Sequence, residues 1–273
     1  MFRNCFWGDK AVMNAPATNK SLGQHWLNDN ATLQRICDAS NLSADDVVLE
    51  VGPGPGALTS LLVKRASRVV AVEFDEQLAH QLPARVIAKN LEVVNQDILQ
   101  FDLTQLPSDY KVVANIPYYL TSKLVRTLSE AANPPQSVTL LIQKEVARRL
   151  AAKPGDMSLL GVSAQYYWQV ALDIEVPARM FTPPPKVDSQ VVVMVRRPSK
   201  LFGQIDESSF FRIVKAGFSA RRKKLRSSLA GGLRMNKDEA EDLLVKANID
   251  PNLRAQNLSL EDWYSIYKVV NER

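Results

Sequence analysis

Cysteine and histidine are scarce, with two of each in 273 residues. Cys5 and Cys37 are too few for a disulfide framework, and no Cys/His spacing resembles a zinc site, so no metal is expected. Two plain thiols suit a reducing compartment, here taken as the cytoplasm. Long apolar runs are missing as well. None approaches the roughly 20 residues that a membrane-spanning helix needs, so no membrane partner is expected. Residues 1–20 lack the continuous apolar core of a secretory signal and read as a flexible, weakly basic leader, with nothing in them to support organelle targeting. No internal repeat or low-complexity tract is present, which excludes a repeat architecture.

What remains is ordinary globular composition, 46% apolar and 23% charged. The length allows one large domain and a smaller one. Net charge is +5 but unevenly spread. Residues 196–273 hold 16 Lys and Arg against 10 Asp and Glu, whereas residues 1–195 hold 18 against 19. That concentration suggests a surface for a polyanion in the C-terminal part.

Short β-branched runs alternate with amphipathic stretches. Strands are expected at 47–51, 69–73, 91–94, 111–114 and 138–142, and helices at 31–39, 58–64, 76–87, 122–131 and 145–151. This is the pattern of a mostly parallel, Rossmann-like α/β sheet with helices on both faces. Strands at 167–176 and 190–196 have only a proline-heavy loop within the segment between them, which predicts an antiparallel edge. Beyond residue 198 the pattern is all helical, with helices expected at 208–218, 223–229, 238–247 and 260–270. The division expected is a leader over 1–20, an α/β domain over 21–198 and a helical domain over 199–273.

The first strand runs into Gly52-Pro53-Gly54-Pro55-Gly56. Glycines there let the backbone approach a ligand closely, and a helix opening at that point would turn amides toward it. Glu73 ends the next strand about 20 residues on, where an acid accepts hydrogen bonds from ribose hydroxyls. With Ala57 the segment also satisfies a loose dinucleotide fingerprint, so a nicotinamide enzyme stays open. Asp97 shifts the balance. It follows the third strand, where its carboxylate could accept the amine of a bound adenine, although a lone Asp there can equally be a helix cap.

Asn115-Ile116-Pro117-Tyr118 follows the fourth strand. The Asn115 side-chain oxygen and the Ile116 carbonyl can both accept from an exocyclic amine, Pro117 fixes the backbone between them, and Tyr118 offers a ring face. The alternative is an Asx-type turn after a strand. Placed beside the glycine turn, Glu73 and Asp97, the four residues favour transfer of a methyl group from S-adenosylmethionine to a nucleobase amine. An adenine amine is a poor nucleophile, so the expected gain is positioning and electrostatics rather than a strong base.

These motifs together resemble the ribosomal RNA adenine dimethyltransferases, which dimethylate adenines near the end of small-subunit ribosomal RNA. The resemblance also rests on Gly23-Gln24-His25-Trp26-Leu27, Glu50-Val51-Gly52, Gln143-Lys144-Glu145-Val146, the run 181–189 beginning Phe181-Thr182-Pro183, and the basic run Arg221 to Arg226. It implies a class I methyltransferase fold and S-adenosylmethionine as cofactor. The cofactor residues it implies are His25, Leu27, Gly52, Gly54, Glu73, Asp97, Ile98 and Asn115, with 25–27 closing over the site. Asn115, Ile116, Pro117 and Tyr118 would form the catalytic turn, and Phe181 would join Tyr118 around the target adenine. The family usually has Asn at the place of His25. Its usual Tyr-Gly-x-Leu-Ser pattern is here Met157-Ser158-Leu159-Leu160-Gly161, read as a changed loop, and Ser227 replaces an Asn in the basic helix.

Arg221, Arg222, Lys223, Lys224 and Arg226 are the candidates for phosphate contacts. The expected partner is small-subunit rRNA in a partly assembled subunit, met by a monomer. Two rivals stand: a macrolide-resistance methyltransferase acting on large-subunit RNA, and a non-catalytic nucleic-acid-binding factor on the same scaffold.

Overall fold

The structure, a computed structural model, describes residues 24–272; the leader expected at 1–20 lies outside the described residues. The described residues form, in order, β1 (Trp26–Leu27), α1 (Asn30–Ala39), β2 (Val47–Val51), α2 (Thr59–Leu62), β3 (Arg68–Glu73), α3 (Glu76–Arg85), β4 (Leu91–Asn95), β5 (Lys111–Asn115), α4 (Thr121–Glu130) and β6 (Ser137–Gln143). There follow α5 (Lys144–Leu150), α6 (Leu159–Tyr167), β7 (Trp168–Val176), β8 (Phe181–Thr182) and β9 (Ser189–Arg196). The chain closes with α7 (Glu207–Phe218), α8 (Leu225–Leu233), α9 (Lys237–Lys246) and α10 (Leu260–Asn271). None of the described helices is long and apolar enough to cross a membrane.

The α/β expectation holds. Seven strands form one sheet in the order β4-β3-β2-β5-β6-β9-β7, parallel through β6 and with an antiparallel edge. The central strands are buried along nearly their whole length, as strands covered on both faces must be. Succession runs outward from β2 through β3 to β4, then resumes on the other side with β5 and β6. The carboxyl ends of β2 and β5 therefore flank the point where strand order reverses, which is where an open α/β sheet leaves a crevice. Helix starts carry local signals: Asp29 accepts from the Thr32 amide ahead of α1, and Asp75 from the amides of Gln77 and Leu78 ahead of α3. The pair β1–β8, a second sheet of two strands, is too short to show a period in the sequence.

Two compact units emerge, and they divide the chain differently from the single boundary expected near residue 198. Of the described residues, the first holds 24–144 together with 172–194; the second holds 145–171 and 195–272. The reason lies in α6. Val162 and Tyr166 are fully buried in one apolar cluster with Phe210, Ile213, Leu225, Leu229, Leu243 and Trp263 from the later helices. Of the segment Met157-Ser158-Leu159-Leu160-Gly161, expected as a loop, only Met157 and Ser158 lie outside a helix, and the rest opens α6. Ser158 caps α6 by accepting from the Gly161 amide, and Met157 is buried. Within this unit Gly217 is required by contact: a Cβ there would lie 2.3 Å from the Trp263 ring.

Candidate active site

The carboxyl ends of β2, β3 and β5, with the strap around β1, enclose a cavity of about 830 Å³ in the first unit. This is the size range of a small-molecule site. Its wall includes His25, Leu27, Gly52, Gly54, Glu73, Asn115, Ile116, Pro117, Tyr118 and Phe181, so ten of the residues expected from the sequence converge on one space.

The glycine turn behaves differently from a simple amide nest. α2 is only Thr59–Leu62, shorter than the expected 58–64, and the Gly54 amide is directed at Glu73 Oε2 at 3.0 Å. Gly54 has φ +55°, and a Cβ there would lie 2.6 Å from a ring carbon of Trp26. Glycine is thus needed twice over, for its left-handed backbone and for the close approach of the indole. Glu73 accepts from the Asp75 amide through Oε1 at 2.9 Å. Burial pushes the Glu73 carboxyl upward, while the amides of Asp75 and Gly54 oppose that shift by favouring the charged form.

Glu50 lines the same cavity, and the sequence reading did not single it out as a site residue. It is 1% exposed and its Oε2 has no hydrogen-bond partner among the described residues. Burial, reinforced by the nearby Glu73, raises its pKa to about 8. The available signal was an acid within an otherwise apolar central strand, two residues before the glycine turn. Trp26, within the 25–27 segment expected to close over the site, lines the wall, and so does the 62%-exposed Phe74, directly after Glu73, which was not singled out.

Asn115 ends β5, in register with Leu141 of β6. Its side chain makes no hydrogen bond among the described residues, and the Ile116 carbonyl likewise has no partner there. An ordinary Asx turn needs the amide two residues on, and that residue is Pro117, which has none. Two acceptors therefore stand free at the cavity wall. The Tyr118 hydroxyl is 2.8 Å from Ser189 Oγ, and burial holds its pKa above the ordinary value, so the phenol stays neutral near neutral pH. The His25 ring lies 24° from parallel to that of Tyr118, with centroids 6.1 Å apart. His25 Nδ1 donates to the Pro183 carbonyl at 2.7 Å.

Four expected residues sit less simply. Phe181 reaches the wall but is 3% exposed and packs in the core with Leu27, Leu33 and Ile36, leaving little of its ring for a ligand. Leu27, also 3% exposed, is chiefly a core residue. Asp97 and Ile98 are outside the cavity wall. Asp97 caps a 3-10 turn at 98–100 through Oδ1, with Oδ2 free among the described residues, and Ile98 is buried.

In the second unit, the basic run is not the expected helix but the turn between α7 and α8. Arg221, Arg222, Lys223 and Lys224 are exposed, and Lys224 reaches Asn252 Oδ1 at 2.8 Å. Arg226 is half-buried in α8 and paired with Glu241. Arg221, Arg222 and Lys223 have no ion pair among the described residues.

Comparison with known proteins places this arrangement. The family described as ribosomal RNA adenine dimethylase matches residues 16–272. A protein named ribosomal RNA small subunit methyltransferase A from Dehalococcoides mccartyi (strain CBDB1) is 42% identical over 248 residues, covering 89% of this chain and 85% of its own. Its namesake from Clostridioides difficile (strain 630) is 38% identical over 264 residues, with 93% and 91% covered. Among solved structures, a dimethyladenosine transferase from Plasmodium falciparum superposes with a TM-score of 0.78 at 25% identity, covering 91% of this chain and 98% of that one. The 23S rRNA methyltransferase ErmE does so at 0.71 and 30%, covering 90% and 99%.

Proposed function

The chain belongs to the ribosomal RNA adenine dimethylase family, and from that premise we propose that it methylates the N6 amines of adjacent adenines near the 3′ end of small-subunit ribosomal RNA, using S-adenosylmethionine. It is an rRNA adenine dimethyltransferase. The observation that carries the reading is the pair of unpartnered acceptors at Asn115 and Ile116, opening into the cavity that Gly54 and Glu73 also line.

The residues present fit the cofactor. Glu50 offers an orphaned, buried carboxylate oxygen, which a cationic ammonium would satisfy. Glu73 retains a lone pair on each oxygen for ribose hydroxyls after accepting its two amides. Asp97 Oδ2, beyond the cavity wall, would take the cofactor's adenine amine, and the exposed ring of Phe74 in the wall would offer it a face. Gly52, Gly54 and Trp26 would close the middle of the site. When bound, the cofactor supplies an electrophilic methyl group on a sulfonium sulfur.

The chain's own part is to hold the target nitrogen. In the first transfer Asn115 Oδ1 and the Ile116 carbonyl each accept one amine hydrogen, and in the second one of them accepts the single hydrogen left, which favours a pyramidal nitrogen and fixes the direction of its lone pair. Pro117 keeps the two acceptors at a constant angle. Tyr118 replaces the stacking that the base loses on leaving its RNA neighbours, with Phe181 as a largely buried floor. One amine proton leaves to solvent for each methyl gained, so charge balances without a strong base in the wall.

The exposed cations at 221–224 would grip phosphates, giving affinity without reading sequence. RNA shape and single-stranded bases would then set specificity within a partly assembled subunit. The test supplies labelled S-adenosylmethionine with purified small or large subunits lacking the modification, followed by nucleoside mapping. Dimethyladenosine in the small subunit is expected; label only in the large one overturns the proposal.

A further inference from the structure

We infer that Tyr119 is a stacking platform for the nucleobase next to the target adenine, a second base subsite at the rim of the cavity. This rests on the adenine-methylation reading above and extends it from one nucleotide to two. Tyr119 lines the cavity wall beside Tyr118, yet it is 62% exposed, among the most exposed large apolar side chains of the described residues. Neither its hydroxyl nor its ring has a partner among them. Its backbone, by contrast, is held firmly. Tyr118–Leu120 is a 3-10 turn closed by the Leu120 amide, which donates to the Pro117 carbonyl at 3.0 Å. The buried Thr121 opens α4, and its hydroxyl donates to the Tyr118 carbonyl at 3.1 Å. Successive side chains of such a turn diverge by roughly a third of a revolution. Tyr118 is accordingly half-buried, Leu120 enters the core, and Tyr119 between them is left in solvent. A free aromatic ring on a rigid turn suits a flat partner, because little conformational entropy remains to be lost on contact.

The RNA supplies that partner. A base drawn out of its stack leaves the nucleotide beside it with an uncovered face as well. Tyr118 serves the extracted base, and the next residue along the chain is placed for the next base along the RNA. Every base has a π face, so one platform serves both targets. When the register moves by one nucleotide to the second adenine, a different neighbour stacks there in turn. Lys123, four residues beyond Tyr119 and exposed, has no ion pair among the described residues, so charge on this edge also favours a phosphodiester.

The experiment uses small-subunit particles reconstituted with RNA whose 3′ segment is synthetic and holds one methylatable adenine. The nucleotide on either side of that adenine is intact or abasic. With intact RNA, Tyr119→Ala is expected to lower kcat/KM roughly tenfold, within the range found on removing one base–aromatic stack. Tyr119→Leu, apolar but without a π face, should behave like alanine, and Tyr119→Phe should recover most of the loss. In the wild-type protein, an abasic site on the stacking side should cost a similar factor. Combining that abasic site with Tyr119→Ala should add less than about twofold, the non-additivity of two groups in direct contact. The calorimetric Kd for S-adenosylhomocysteine and the melting temperature should stay close to wild type, since the side chain is exposed.

Wild-type kcat/KM in both Tyr119→Ala and Tyr119→Leu overturns the inference. So does an equal loss whether the flanking bases are present or abasic, because Tyr119 would then act on something other than a neighbouring base. A cofactor Kd weakened by the same factor as kcat/KM would put the ring in the cofactor site and overturn it too. If the alanine protein does not fold, the leucine protein is carried through the same abasic comparison and decides. Absence of methyl transfer by the wild-type protein itself sinks the proposed function instead, so the two failures are distinguishable.

Discussion

The Gly54 amide donates to the Glu73 carboxylate across 3.0 Å, tying the turn after β2 to the end of β3. The carboxylate's other oxygen accepts from Asp75. Glu73 therefore shapes the glycine turn before any ligand arrives, besides offering lone pairs to one. Glu73→Gln presents a donor where two donors already point, so one of the two bonds must fail. Expected are a loss of about 1–3 kcal/mol in unfolding free energy and at least about tenfold weaker cofactor binding, equivalent to about 1.4 kcal/mol. Chemical denaturation and calorimetry measure the two separately. A variant that binds the cofactor normally would remove Glu73 from the site.

Glu50 makes a pH-dependent contribution of definite sign. Its pKa is raised from 4.5 to about 8, so the folded form holds a proton that the unfolded chain releases. Stability is therefore greatest at low pH on this account and declines as pH rises from 4.5 toward 8, by up to about 1.4 kcal/mol for each pH unit in that window. Glu50→Gln should flatten this slope, with the urea midpoint near neutral and alkaline pH rising relative to wild type. An unchanged slope would mean that Glu50 is already ionised in the folded protein. A cationic ligand favours the carboxylate, so cofactor binding near neutral pH should release a proton. Calorimetry in buffers of different ionisation enthalpy reads that proton directly.

Asn115→Ala removes one of the two free acceptors at the cavity wall while leaving β5 and the exposed cations of the second unit intact. Methylation should fall at least about 100-fold, the usual scale for losing one preorganised polar contact to a reacting group, with RNA binding changed little. Unaltered turnover would take Asn115 out of the chemistry. Loss of RNA binding alongside turnover would assign it to docking instead.

What the sequence made legible follows from the range of the signals. Glu73, Gly54 and Asn115 each follow a β-branched run, and a parallel sheet gathers such ends along one edge, so these three line one cavity, whereas Asp97, picked by the same argument, falls outside its wall. Longer-range packing was not legible. The two-residue pairing of Trp26–Leu27 with Phe181–Thr182 has no period to detect. The residues of α6 join the C-terminal helices through the burial of Val162 and Tyr166, which depends on partners such as Phe210 and Trp263, far away in the sequence. Glu50 was visible as an acid in an apolar strand, but that its Oε2 meets no partner among the described residues is a three-dimensional fact. The basic run was recognisable by composition, yet only the fold separates exposed Arg221 from Arg226, whose charge Glu241 already balances.

That separation sets the last prediction. A cation contributes to the salt dependence of RNA binding when it displaces counterions from a phosphate, and an arginine already paired within the protein contributes less. Arg221→Ala combined with Arg222→Ala should weaken RNA binding and make the slope of log K against log salt shallower by about 1–2 units. Arg226→Ala should leave the slope nearly unchanged and act on stability by less than about 1 kcal/mol, since both it and its partner Glu241 keep partial contact with solvent. Filter binding over a salt series, with thermal melts of the same proteins, distinguishes the two groups. An equal slope change in both would place Arg226 on the RNA, and no change in either would leave the turn at 221–224 a solvated surface.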